Sequence, residues 1–156
     1  MSPRRRAAGR QVETIGMDRL IVRQGFVLIL LALLGGVLAP FMVNPRLGVG
    51  AHTLGLIGGI VLIVIGLTRP LFVLDRRLWL ALHVCWFFTA YANWAATMLA
   101  GLSGSSYLTP IAGAGTTGSY LPEMIVFVVY IMLGVTSVVG TAIAVYGLLG
   151  RDRKGS

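Results

Sequence analysis

Long uncharged stretches dominate the pattern of this chain. No charged residue occurs from Gln24 through Pro45, and none from Leu47 through Thr68, so two runs of 22 residues are parted only by Arg46. A third uncharged run, of 45 residues, lies between Arg77 and Glu123. It divides by composition: residues 78–102 are apolar, whereas residues 103–120 are rich in Gly, Ser, Thr and Pro and read as a loop. A last apolar run, residues 124–149, is closed by Gly150-Arg151-Asp152-Arg153-Lys154. Crossing the hydrocarbon core of a bilayer takes about 20 residues of helix. In lipid every backbone N–H and C=O needs an internal partner, so runs of this length are helices. The pattern predicts an all-α integral membrane protein, a four-transmembrane-helix bundle with spans at residues 25–43, 49–67, 78–102 and 124–149.

Composition agrees. Only 12% of the residues are charged and 56% are hydrophobic, with a mean hydropathy of +0.86, against about 25% charged in a soluble domain. The transmembrane domain occupies residues 23–150, leaving a basic, partly disordered tail at residues 1–22 and a basic tail at 151–156. Lys and Arg set the orientation. The two tails and the segment Arg69–Arg77 carry twelve of them, and the other two loops carry only Arg46. Both termini are therefore expected in the cytoplasm, with the Gly/Ser-rich loop outside a cytoplasmic (inner) membrane. The net charge of +8 flanks apolar runs and forms no dense stripe, which argues against nucleic acid as a partner. Arg4, Arg5 and Arg6 suit topology setting or contact with anionic lipid. The first apolar run begins only near Gly25 and has no small-residue cleavage pattern behind it, so it reads as a span and not a removable signal. One cysteine, Cys85, excludes an intramolecular disulfide and zinc sites of the Cys₂His₂ or Cys₄ type.

Ionisable residues inside spans are costly and become functional candidates. The spans hold His52 and His83 and no carboxylate. That argues against an acidic proton relay, a paired-carboxylate hydrolase and a Ser/His/Asp set. Gly48, His52, Gly55 and Gly59 share one helical face. Two readings stand: a small-residue packing stripe with a wetted imidazole, or a flat slot beside an imidazole ligand, as a planar cofactor such as haem requires. In span three, His83, Trp86, Ala90, Asn93 and Thr97 fall on one face. Asn93 lies 15 residues beyond Leu78, roughly 22 Å along a helix, at a depth that His52 also reaches from outside. An Asn in lipid bonds either to another helix or to a ligand. Tyr91 and Trp94 beside it suit interfacial aromatics or pocket walls. His83, near the basic loop, reads as a packing or snorkelling residue. Arg46, alone on the outer side, calls for a specific partner, either Glu123 or an anionic group of a cofactor.

Together these residues resemble a known family. Gly25-Phe26 opens span one and Asn44-Pro45-Arg46 closes it; Gly50-Ala51-His52 follows, with Gly55 and Gly59. Tyr91-Ala92-Asn93-Trp94 lies in span three, and Pro110, Gly118-Ser119 and Glu123 precede span four. Their order and spacing resemble hydroxylaminobenzene mutases, small bacterial membrane isomerases, from about Arg23 to Gly150. The plan is more distantly similar to styrene oxide isomerases, four-helix haem b proteins that assemble as trimers with a span-two histidine on ferric iron. The resemblance implies haem b held by His52, a homotrimer, and a small aromatic or epoxide substrate. It implies Lewis-acid isomerisation without net redox change: an aryl hydroxylamine would become an aminophenol, or an epoxide an aldehyde. Asn93 would then hold the substrate oxygen, and Tyr91 would assist if it faces the pocket. Gly55, Gly59 and Arg46 would line the cofactor. Two positions depart from the pattern. Gly58 stands where the mutases have Asn, and Thr97 stands nearest to a tyrosine of the epoxide isomerases.

Overall fold

The computed structural model describes the backbone from Pro3 to Leu149 and side chains from Asp18 to Leu149. Among the described residues it is all-helical, with no strand. The helices are α1 (Pro3–Leu38), α2 (Pro45–Leu67), α3 (Arg76–Ser103), a single turn α4 (Pro110–Gly113) and α5 (Tyr120–Leu149). Three segments are long and apolar enough to cross a membrane: Asp18–Phe41, Pro45–Leu67 and Tyr120–Leu149. At 28 residues α3 matches them in length, but Arg76, Arg77, His83 and Asn93 make it more polar.

The boundaries have local causes. Pro40 follows the end of α1, where the chain tightens into a 3₁₀ turn over Ala39–Phe41. Asn44 caps α2, accepting from the Leu47 N–H at 3.2 Å, with Pro45 in the first turn. Asp75 caps α3, accepting from Leu78 N–H at 2.7 Å, and α3 stops where Gly104 turns left-handed at φ 74°. The N-terminal segment differs from the expected loose tail: α1 is helical from Pro3 onward. Proline is tolerated at a first helical turn, and isolated glycines weaken a helix without ending it. The basic segment from residue 150 onward lies outside the described residues.

The expected bundle is also modified. The main packings are α1 on α2, α2 on α3 and α3 on α5; α1 and α5 share none of substance. The four long helices form an open row and not a closed ring. In α5 the buried residues are Val126, Leu133, Gly140 and Gly147, one every seven positions, a narrow seam against α3. Its other faces carry exposed aliphatics such as Ile131, Val135 and Val138. Exposed apolar surface on this scale belongs in lipid or against another chain.

Small residues set the α1–α2 distance. A Cβ on Gly59 would lie 2.6 Å from the Gly25 carbonyl oxygen, and one on Gly25 would lie 2.6 Å from the Gly59 oxygen. The two backbones therefore touch, as in small-residue packing of membrane helices. Polar ties join the rest of the row: Thr89 to Thr136 at 3.0 Å, Thr97 to Tyr130 at 2.8 Å, and His83 Nε2 to Gln24 Oε1 at 2.8 Å. His83 is thus buried with a specific partner, which fits the packing reading.

Candidate functional site

His52 stands on α2 against α1. Its Nδ1 lies 2.8 Å from the Ala32 carbonyl oxygen, and its ring lies over Gly36, where a Cβ would come 2.6 Å from Nδ1. A carbonyl only accepts, so Nδ1 is the donor of this bond and Nε2 is the ring nitrogen left over. No other hydrogen bond to this ring occurs among the described residues. Metal-binding histidines are commonly arranged this way, with one ring nitrogen anchored on a carbonyl and the other left to bind. The residues present therefore fit an axial ligand at His52. The anchor was not legible beforehand, because it is a backbone oxygen on a different helix. Gly36 did leave a signal, as half of the Gly35-Gly36 pair in an otherwise aliphatic run.

Gly55 and Gly59 face α1. A Cβ on Gly55 would meet Ala32 Cβ at 2.6 Å and Trp94 Cδ1 at 2.7 Å; one on Gly59 would meet Ile29 as well as Gly25. Helix α1 and the Trp94 ring occupy the space that a planar ligand along this stripe would take. The two glycines act on His52 indirectly, by holding α1 close enough for Ala32 to reach the ring. Trp94 is a wall between helices, not an interfacial aromatic. Its buried indole N–H has no hydrogen-bond partner, a deficit of about 1–3 kcal/mol.

Asn93 reaches the depth of His52, because the neighbouring Trp94 meets Gly55. It does not share a side with His52. Gly58 of α2 faces α3 at Ala90, and six residues of helix put His52 about 120° around α2 from it. Asn93 falls between Thr89 and Thr97 at steps of four, and both threonines bond to α5. Its side-chain amide, half-buried, makes no hydrogen bond among the described residues. Thr97, where a tyrosine was looked for, bonds to the Asn93 carbonyl at 2.8 Å and to the hydroxyl of Tyr130. A phenol therefore does arrive beside Asn93, but from α5. Sequence reading missed Tyr130 because nothing in its local pattern marks which helix it meets. At Gly58, a Cβ would come 3.0 Å from Ala90 Cβ, so the space that an Asn would need is closed here.

Tyr91 does not face this region. Its hydroxyl donates to the Gln24 carbonyl at 2.8 Å, eight residues before Ala32 and so roughly 12 Å along α1 from the His52 anchor. The condition for its assistance is not met, and it serves to tie α3 to α1. Tyr91→Phe should therefore lower stability by about 0.5–1.5 kcal/mol, the value of one such bond. Turnover should stay within about twofold, checked by thermal unfolding in detergent beside an activity assay. Glu123 is likewise not the partner of Arg46. Its carboxylate accepts from the Ser106, Tyr107 and Gly118 amides at 2.9, 3.1 and 3.1 Å, because the segment between α3 and α5 folds over the start of α5. Arg46 stands exposed in the first turn of α2, beside a cavity of about 480 Å³ formed with α4.

Comparison with known proteins supplies the family. The family model of styrene oxide isomerase matches residues 17–149. This chain belongs to the styrene oxide isomerase family. Among curated relatives it is 37% identical to hydroxylaminobenzene mutase HabB of Ectopseudomonas oleovorans over 133 residues, 85% of this chain and 81% of the relative. It is also 37% identical to hydroxylaminobenzene mutase HabA of the same organism, over 70% of this chain and 82% of that relative. No solved structure matches it. The matched region of the family begins just before the first crossing segment and ends with α5, so it takes in every residue described above.

Proposed function

We propose that this protein is a membrane isomerase of the hydroxylaminobenzene mutase type, converting a small aryl hydroxylamine to an aminophenol. The observation that carries this reading is the state of His52: an imidazole within an apolar span, its Nδ1 anchored and its Nε2 free. In this proposal His52 holds haem b. The ferric haem, when bound, supplies a Lewis acid that weakens the N–O bond of the substrate. The chain does the rest. Ala32 fixes the imidazole tautomer and Gly36 gives the ring room. Arg46, six residues before His52 and roughly 9 Å along α2, offers its guanidinium to an anionic group of the cofactor. The unpartnered amide of Asn93 holds the substrate oxygen. His52 and Asn93 look out on different sides of α2, so the proposal includes a homotrimer in which neighbouring copies supply the two. It also includes α3 as a fourth crossing helix, with both termini on the cytoplasmic side of the inner membrane.

The deciding experiment is product analysis. Membranes containing the protein, supplied with hydroxylaminobenzene, should yield an aminophenol, and the purified protein should show a Soret band. An unchanged substrate and a colourless preparation would defeat the proposal. The name of the matching family favours a second reading, in which the substrate is an epoxide and the product an aldehyde. Styrene oxide in the same assay separates the two.

A further inference from the structure

A second feature lies at the opposite end of the α1–α2 pair and has no part in the proposed chemistry. A cavity of about 530 Å³ is lined by Asp18, Arg19, Val22, Arg23, Phe26 and the α2 end at Gly66-Leu67. Its residues on α1 are spaced three and four apart, so they form one face of the helix. The order along that face is informative. Arg19 and Arg23 are exposed at the polar end, and Phe26 and Leu67, 60% and 68% exposed, continue into the crossing segment. Gly66 permits the closeness of the walls: a Cβ there would meet Val22 at 2.8 Å.

The acidic member does not cancel the arginines. One Asp18 carboxylate oxygen is buried with no hydrogen-bond partner, and no ion pair joins Asp18 to Arg19 or Arg23 among the described residues. Neither Arg19 nor Arg23 has an ion pair or hydrogen bond among the described residues. Two guanidinium groups with no ion pair among the described residues thus sit above an apolar trough at the level where the crossing segment begins. A free anion would use only the upper half of such a site. A phospholipid uses both: phosphate oxygens suit the planar donors of arginine, and an acyl chain suits Phe26 and Leu67.

We propose that Arg19, Arg23 and the groove beneath them form a binding site for one anionic phospholipid. The test is native mass spectrometry of the full-length protein released from micelles containing equal phosphatidylglycerol and phosphatidylcholine. The wild type should retain phosphatidylglycerol preferentially. Basic residues near a membrane surface contribute about fivefold each to such attraction, so Arg19→Gln with Arg23→Gln should lower the preference by about tenfold or more. Each single variant should lower it several-fold, and Arg77→Gln, on a different surface, should leave it unchanged. Millimolar inorganic phosphate should not displace the lipid. Equal retention of the two lipids by the wild type would overturn the proposal, as would a double variant that still selects phosphatidylglycerol. Displacement by phosphate would overturn it in favour of a simple anion site.

Discussion

His52→Ala should lower isomerase turnover by at least about 100-fold. Loss of groups that merely orient a metal ligand costs about 10- to 100-fold, and loss of the ligand should cost no less. The Soret band of the proposed haem should go with it. The fold should persist, because the ring is half-buried and makes a single hydrogen bond. Product yield per mole of protein, normalised to matched amounts of folded material, gives the answer. Turnover within threefold of wild type would remove His52 from the mechanism. Gly36→Ala refines the test by keeping the imidazole while pushing on it, since the added Cβ would sit 2.6 Å from Nδ1. It should give an intermediate loss with a shifted absorption band.

Gly59→Val should produce the largest loss of stability. The first added carbon would lie 2.6 Å from the Gly25 carbonyl oxygen. That atom belongs to a helix backbone and cannot rotate aside, so α1 and α2 must separate. Overpacking costs about 1–3 kcal/mol and sometimes more. The apparent Tm in detergent should fall by several degrees. Activity should fall as well, because a separated α1 withdraws Ala32 from the imidazole. Gly134→Val provides the contrast: nothing lies within 4 Å of a Cβ built there, so the change should be nearly silent. If both variants melted alike, glycine loss itself, and not the α1–α2 contact, would be the cause.

The crossing segments were legible because they depend on composition over some 20 residues, a property that tertiary context does not alter. Arg46, lying between two uncharged runs, marked the α1–α2 turn without ambiguity. The chemistry of His52 was half legible. Its presence among glycines and alanines announced a special position, but the partner that fixes its tautomer is a backbone oxygen twenty residues away, and backbone oxygens have no sequence signature. The Gly55–Gly59 stripe had two meanings, and only the position of α1 shows which surface it meets. Asn93 was placed at the right depth by counting residues. Counting does not reveal how α3 is rotated, and that rotation decides whether Asn93 turns toward His52 or toward α5. The partners of Tyr91 and Glu123 were not legible for a related reason. Each is polar and close in sequence to the site, yet each has its bonding capacity met by main-chain groups of a neighbouring segment.

Asn44 is 3% exposed, and its side chain reaches Gly113 and Thr116 in the segment between α3 and α5, while its own N–H donates to the end of α3 at Gly101. The same residue starts α2, two turns above the imidazole. Exchange of the segment between α3 and α5 among relatives is therefore not a local operation. A graft that fails to present a carbonyl at 113 and a hydroxyl at 116 would loosen the first turn of the helix bearing His52, so loop and helix start should be transplanted together.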